Sequence, residues 1–269
     1  MTRIEKTAQF RALHVLGDPL VMPNPWDLGS AKLMASAGAK ALATTSSGHA
    51  FTLGRPDLGN VSREESLAHA ADIAAAVDLP VNGDFENGYG DSPEIVAETV
   101  RLAAAAGLAG VSIEDMTFPS NEPYEFDHAV ARVEAAVEAA KQVDIVLTAR
   151  ADGYMHRRYD GDEAVRRCAA FAEAGAEVLY APLVKPETVQ ELAKLGPPVN
   201  VLAVGKMTAH SVAEIGAMGA GRISIGGALA RVTHALILKA AREIMGGDLS
   251  ALAAAASAGE IDAILMGEG

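Results

Sequence analysis

The sequence predicts a (β/α)8 barrel on three observations. Short apolar runs alternate with longer Ala-rich amphipathic stretches along nearly the whole chain, the pattern of β-then-α units that build a parallel sheet. Eight such units fit within 269 residues, close to the roughly 250 typical of these barrels. The same punctuation recurs at Ala37-Gly38-Ala39, Ala106-Gly107-Leu108, Ala174-Gly175-Ala176 and Met218-Gly219-Ala220. Each reads as a glycine ending a helix, followed by entry into a strand.

In chain order, the first four strands are expected at Leu20 to Met22, Ala41 to Thr44, Val81 to Asp84 and Val111 to Glu114. The other four are expected at Ile145 to Ala149, Val178 to Tyr180, Asn200 to Ala203 and Ile223 to Ile225. Helical stretches such as Ser66 to Val77, Pro93 to Ala106, Asp127 to Lys141 and Asp162 to Ala174 separate them. A doubly wound open sheet would carry a G-x-G-x-x-G turn after its first strand. Met22 is instead followed by Pro-Asn-Pro-Trp-Asp. No linker, low-complexity tract or charge block divides the chain, so residues 1–269 are read as one barrel domain. Two further helices are expected at the end, Ala228 to Met245 and Leu249 to Ala258, broken at Gly246-Gly247. That is more helix than a closing unit needs, and segment 228–269 is expected to take part in oligomerisation.

Composition narrows the function. Half the residues are hydrophobic but only 4% are aromatic, so Ala, Val, Leu and Ile must fill the core. A net charge of −13 argues against nucleic acid or an anionic membrane as partner. An anionic small substrate stays open, because charge at a site is local. Cys168 is the only cysteine, which excludes an internal disulfide and a cysteine zinc site. No apolar leader and no apolar run of roughly 18 residues is present, and the expected location is the cytoplasm.

Barrel chemistry gathers at the C-terminal ends of the strands. There the sequence places Asn24, Trp26 and Asp27 after strand 1, and Thr44 to Gly48 after strand 2, with Asp57 further on. Asp84 and Glu86 follow on strand 3, Glu114 and Asp115 on strand 4, Arg150 and Asp152 on strand 5, Tyr180 on strand 6. Asp84 and Glu86 are spaced i, i+2, which in an extended segment sets both on one face. Like charges so placed need neutralising, and oxygen ligands without His or Cys suit Mg²⁺, or Mn²⁺, rather than zinc. Arg150 can grip a carboxylate by a bidentate pair, and Ser46, Ser47 and Gly48 can bind a second anionic group. Together these predict a small 2-oxo or 2-hydroxy acid, cleaved through an enolate that a metal stabilises.

Six pieces of the sequence then resemble one family. They are Asn24-Pro25-Trp26-Asp27, Ala43-Thr44-Thr45-Ser46-Ser47, Gly54-Arg55-Pro56-Asp57-Leu58-Gly59 and Asp84-Phe85-Glu86-Asn87-Gly88-Tyr89-Gly90. The last two are Gly110-Val111-Ser112-Ile113-Glu114-Asp115 and Thr148-Ala149-Arg150-Ala151-Asp152. In this order the chain resembles the isocitrate lyase / phosphoenolpyruvate mutase superfamily nearly end to end. The resemblance implies a barrel whose last helix is swapped between subunits of a homodimer or homotetramer. It implies Mg²⁺ near Asp84 and Glu86, with Asp57 and Glu114 completing the acidic shell, and catalytic roles for Arg150, Glu114 and Asp57. Trp26, Ser46, Ser47, Gly48 and Arg150 would bind substrate.

Departures from the family pattern refine the expectation. The lyases' K-[KR]-C-G-H loop is replaced here by Met-Thr-Phe-Pro-Ser-Asn-Glu-Pro-Tyr after Asp115, and the mutases' two lysines are missing from it. Pro123-Tyr124-Glu125-Phe126 matches shorter bacterial members, of which an oxaloacetate decarboxylase is one type. The expected activity is a Mg²⁺-dependent lyase or decarboxylase, with phosphonomutase or phosphonopyruvate hydrolase chemistry as the alternative. A barrel that binds a dicarboxylate without turning it over is the reading outside enzymes. Proton-donor candidates are His49, His156, His210 and Tyr154, and residues Met116 to Tyr124 form a candidate lid. Lys185 and Lys206 keep a Schiff-base alternative open, and Gly205 and Gly226-Gly227 a phosphate site.

Overall fold

The computed structural model describes residues 1–267. Its strands are β1 Leu20–Met22, β2 Leu42–Ala43, β3 Val81–Asp84, β4 Gly110–Glu114, β5 Val146–Arg150, β6 Val178–Tyr180, β7 Val199–Leu202 and β8 Ala220–Ser224. All pair in parallel, in the order β1-β8-β7-β6-β5-β4-β3-β2. The seam between β2 and β1 is bridged where the Ala43 N–H donates to Pro23 O at 3.1 Å. The result is the predicted (β/α)8 barrel, nearly closed.

Helices wrap the sheet: α1 Arg3–Ala12, α2 Leu28–Ser36, α3 Ser46–Thr52, α4 Arg63–Ala76, α5 Pro93–Ala105 and α6 Phe126–Val143. They continue as α7 Gly161–Ala174, α8 Pro186–Ala193, α9 Val212–Ala217, α10 Ala228–Met245 and α11 Ala258–Met266. Each expected glycine stop, Gly38, Gly107, Gly175 and Gly219, has φ between +89° and +103°, a conformation that costs glycine nothing.

Three local expectations are corrected. Ser46 and Ser47, expected as an anion cradle at the end of strand 2, open a helix, because Thr45 caps it by accepting from the Gly48 N–H. Leu249 to Ala258 is not one helix: a 3-10 turn spans Ser250–Ala254, and α11 restarts where Ser257 accepts from the Glu260 N–H. Strand 8 begins earlier than expected, which brings Arg222 inside it. Helix α1 was not foreseen, although Thr2 and Glu5 form a capping box that the Thr-x-x-Glu spacing announces.

Two apolar layers hold the fold. Helices pack on the outer face of the sheet through small residues, among them Ala103, Ala136 and Ala164, each fully buried. A separate cluster of Leu20, Met22, Ala41, Ala43, Ala109, Val146 and Val178 gathers around Phe10 of α1. Phe10 is 0% exposed, and a Cβ at Gly110 would stand 2.6 Å from its ring. The β4 backbone therefore approaches this ring closely. Phe10→Ala should cost about 3–5 kcal/mol by urea unfolding, the usual range for emptying an aromatic core site. A loss under about 1 kcal/mol would show that α1 does not hold the barrel together.

Candidate active site

The C-terminal mouth holds a cavity of about 240 Å³, smaller than the roughly 300–1,000 Å³ clefts that take drug-sized ligands. Asp57, Asp84, Arg150, Ser46 and Ser47 line one part of it, and Arg222, Ser224, Gly226, Gly227 and Arg231 another. No helix among the described residues is long and apolar enough to cross a membrane.

Asp84 ends β3 and is gripped from three sides. Its N–H donates to Thr44 Oγ1 at 2.8 Å, its Oδ2 accepts from the Ser46 N–H at 3.0 Å, and Oδ1 meets Arg150 Nη1 at 2.7 Å. Glu86 reaches the same neighbourhood by a different geometry from the one expected. It lies beyond the strand end at φ 45°, so a turn, not strand alternation, brings it round. There its Oε1 accepts from the Gly59 N–H at 3.0 Å, and its carbonyl accepts from the Glu114 N–H at 2.9 Å. Gly59, at φ 72°, also lies against Phe118 of the 116–124 loop, whose Cβ would be 3.0 Å from a Cβ added there.

Arg150, at the end of β5, is the centre of the set. Its Nε and Nη2 fork the Asp152 carboxylate at 3.0 and 2.5 Å, and Nη2 stands 3.5 Å from Glu114 Oε2. Burial works against its charge, but Asp152, Glu114 and Asp84 together hold the guanidinium well above its ordinary pKa. Asp152 is 0% exposed, and its backbone N–H donates to Asp115 Oδ1 at 2.8 Å. Asp115 Oδ2 in turn accepts from Tyr159 Oη at 2.9 Å and pairs with Arg167 Nη1 at 3.0 Å. Asp115 and Asp152 were placed at the mouth from sequence without a role. Their role here is to fix Arg150 from behind.

Burial dominates the proton affinity of three of the acids. Burial pushes the Glu86 carboxyl up to about 7, reinforced by Asp84 and Asp57 and opposed by the Gly59 N–H. Burial also drives Glu114 well above the carboxylate range, with Arg150 opposing and Asp152 adding to it. Asp57 is raised by burial and by the Asp84 charge, while the Leu58 N–H and the Ser46 hydroxyl hold it down. Asp57, Asp84, Glu86 and Glu114 thus form an all-oxygen, electron-rich set that suits a hard divalent cation. Among the described residues no three His, Cys, Asp or Glu side chains could themselves enclose a metal. A cation held here would keep water in its shell, as Mg²⁺ habitually does.

Other expected residues fall elsewhere. Trp26 does not line the mouth cavity but a neighbouring groove, with His49 and His69. His49 stacks flat on His69 there, ring centroids 3.8 Å apart. Gly48 is buried inside α3 with its N–H taken by the Thr45 cap. His156 bonds Asn121 at 3.0 Å, and His210 lines a second, apolar cavity of about 320 Å³ together with Lys185 and Lys206. None of His49, His156, His210 or Tyr154 lines the mouth, whereas Met155 and Tyr180 do. Both lysines are exposed rather than desolvated within a strand. Cys168 is fully buried in α7, and burial raises its thiol pKa. The 116–124 loop is tied to the segment after β5 by the Asn121–His156 bond and by Arg158 Nη2 to Glu122 Oε1 at 3.0 Å.

The chain was compared with known proteins. Residues 10–245 match the sequence profile of the phosphoenolpyruvate phosphomutase family. An uncharacterised Mycobacterium tuberculosis protein is 33% identical over 220 residues, covering 81% of each chain. The 2-methylisocitrate lyase of Escherichia coli is 33% identical over 192 residues, 68% of this chain and 62% of that one. A Burkholderia cenocepacia J2315 structure, provisionally named a lyase/mutase, superposes with a TM-score of 0.92 at 44% identity, over 97% of this chain and 95% of that one.

The raised Glu86 carboxyl has a sign that can be measured. A folded-state pKa near 7 favours folding below the ordinary carboxylate pKa, and that advantage is lost as pH climbs to about 7. In EDTA, Glu86→Gln should therefore match wild type near pH 4 and exceed its stability at pH 8, by an amount on the order of 2 kcal/mol. Parallel stability-against-pH curves for the two proteins would show that Glu86 carries no such shift.

Proposed function

The chain belongs to the phosphoenolpyruvate mutase / isocitrate lyase superfamily, and on that premise we propose that it is a Mg²⁺-dependent carbon–carbon lyase or decarboxylase. Its substrate is a small 2-oxo or 2-hydroxy dicarboxylate. The observation that carries this reading is the pairing of Asp84 and Glu114 with Arg150, with Asp57 and Glu86 near enough to Asp84 that its charge raises their proton affinity. When bound, a divalent cation supplies positive charge against the enolate that develops as the bond two carbons from the carboxylate breaks.

The chain's own residues do the rest. Asp84, oriented by the Ser46 and Thr44 contacts, would hold the cation together with Asp57, Glu86 and Glu114, directly or through its waters. Arg150, kept in place by Asp152, lines the cavity and would meet the substrate carboxylate next to the reacting carbonyl. Ser46 and Ser47 contribute hydroxyls at the same wall. In this reading the 116–124 loop, whose Phe118 lies against Gly59, acts as the lid that excludes water.

Incubation with oxaloacetate, 2-methylisocitrate, 2,3-dimethylmalate, phosphonopyruvate and phosphoenolpyruvate, with Mg²⁺ and then with EDTA, tests the reading. Cleavage of one of the carbon acids is expected, and EDTA should stop it. Turnover only of the phosphorus compounds would favour phosphonomutase or phosphonopyruvate hydrolase chemistry, which the family profile supports as second reading. EDTA-resistant turnover would remove the metal from the mechanism. Asp84→Asn should lower Mg²⁺ affinity and turnover together by about 10–100-fold with the fold kept. Normal values for both would take Asp84 out of the site.

Helix α10 supports self-association with a second copy. Val232, Leu236, Ile237 and Leu238 are each more than half exposed on it, and Val21 on the outer face of β1 is 44% exposed. One copy's apolar helix has the chemistry to cover the other's bare strand, as a swapped last helix would. Light scattering should show a dimer or tetramer, and Leu236→Asp with Ile237→Asp should shift it toward monomer. A wild-type monomer at high concentration would refute the assembly.

A further inference from the structure

Glu86 opens a turn that the chain would not hold unaided. Glu86, Gly88 and Tyr89 have φ of 45°, 83° and 63°, and only glycine takes such values without strain. The carbonyls of such a turn have no helix or strand ladder to join, so each needs a donor from elsewhere. The Glu86 carbonyl accepts from the Glu114 N–H at 2.9 Å, and the Gly88 carbonyl from the Thr99 hydroxyl at 2.7 Å. Those of Asn87, Gly90 and Asp91 all turn to one side chain, Arg132 of α6.

Arg132 is only 1% exposed and is given over to this turn. Its Nη1 donates to Gly90 O at 2.6 Å and to Asp91 O at 2.9 Å, and its Nη2 donates to Asn87 O. These partners are all carbonyls, so no carboxylate offsets the buried charge by direct contact. The guanidinium carbon stands 3.9 Å from the centroid of the Tyr124 ring. The Tyr124 hydroxyl donates to Asp91 Oδ1 at 2.6 Å and accepts from Asn87 Nδ2 at 3.0 Å. Asn87 Oδ1 in turn accepts from the Tyr89 N–H at 3.0 Å. The turn is thus held from one side by a planar fork and the ring beside it. An apolar side chain would fill the same space at less cost, so packing alone does not explain a guanidinium here.

We propose that Arg132 is a positioning residue for the acidic set: it locks the 86–91 turn and thereby fixes where the Glu86 carboxylate meets a divalent cation. This rests on the cation reading of Asp57, Asp84, Glu86 and Glu114 and extends it, because Arg132 itself lines no part of the mouth cavity. The lever is short. The two peptide planes that follow Glu86 are pinned in succession, the first to β4 through the Glu114 N–H and the second to α6 through Arg132 Nη2. The far end of the Glu86 side chain is fixed by the Gly59 N–H at 3.0 Å. Lysine in place of Arg132 keeps the charge but cannot reproduce the planar fork that serves three carbonyls at once.

Binding of Mn²⁺ to the full chain without substrate, followed by loss of the free ion's paramagnetic resonance signal, tests this. Arg132→Lys should weaken Mn²⁺ binding by about tenfold, the low end for a group that orients a metal ligand. Phe10→Ala, which lowers stability at the opposite end of the barrel, should leave Mn²⁺ affinity within about twofold of wild type. Added to Glu86→Gln, Arg132→Lys should cost less than about twofold more, because its effect passes through the carboxylate already removed. Tyr124→Phe keeps the guanidinium and should weaken binding several-fold; it replaces Arg132→Lys as the deciding variant if that one does not fold. Unchanged affinity in the deciding variant, full additivity with Glu86→Gln, or an equal loss in Phe10→Ala each overturns the inference and leaves the cation reading intact. Failure of the wild type to bind Mn²⁺ overturns both.

Discussion

One positive charge organises the acidic side of this barrel. Arg150 is bound by three carboxylates from three strand ends, and Asp84 and Asp152 are tied further out, to Ser46 and Asp115. Removing water from so many acids would force them to protonate if nothing compensated them. At Asp84 and Asp152 the contact is tight, at 2.7 and 2.5 Å. At Glu86 and Glu114 burial raises proton affinity, with Arg150 opposing it.

The barrel makes this arrangement possible by supplying acids from separate strands at one height. Parallel pairing sets Asp84 beside Ser112 and Glu114 beside Arg150 without any long-range adjustment. Behind the belt, Asp115 joins the backbone of Asp152 to Arg167 on α7, so the outer helix layer takes part in holding the inner site. The end opposite the mouth is apolar around Phe10. Met22 and Ala43 belong both to this cluster and to the cavity lining, so the apolar layer forms part of the floor on which the charged groups stand.

Much of this was legible in the residues. Glycine stops and apolar runs gave the eight units, because a helix end at positive φ and a buried parallel strand both leave strong local signals. Asp84, Glu114 and Arg150 could be placed because each ends a strand with a clear local signal, whereas Asp57 lies in the loop between α3 and α4. Glu86 was found for the wrong geometric reason, since a left-handed turn leaves no alternation to read. Trp26 and His49 were set at the mouth because sequence gives a loop's position but not the direction its side chains take. Arg222 went unnoticed because strand 8 was started one residue after it, and a charge in a barrel lumen looks like a loop residue.

Gly59 joins two parts of the molecule that are far apart in sequence. Its N–H holds Glu86, and the bare face left by its missing side chain is where Phe118 of the 116–124 loop rests. Any side chain at position 59 would press on Phe118 and on the amide from which Glu86 accepts, so a single position ties the loop's packing to the carboxyl's surroundings.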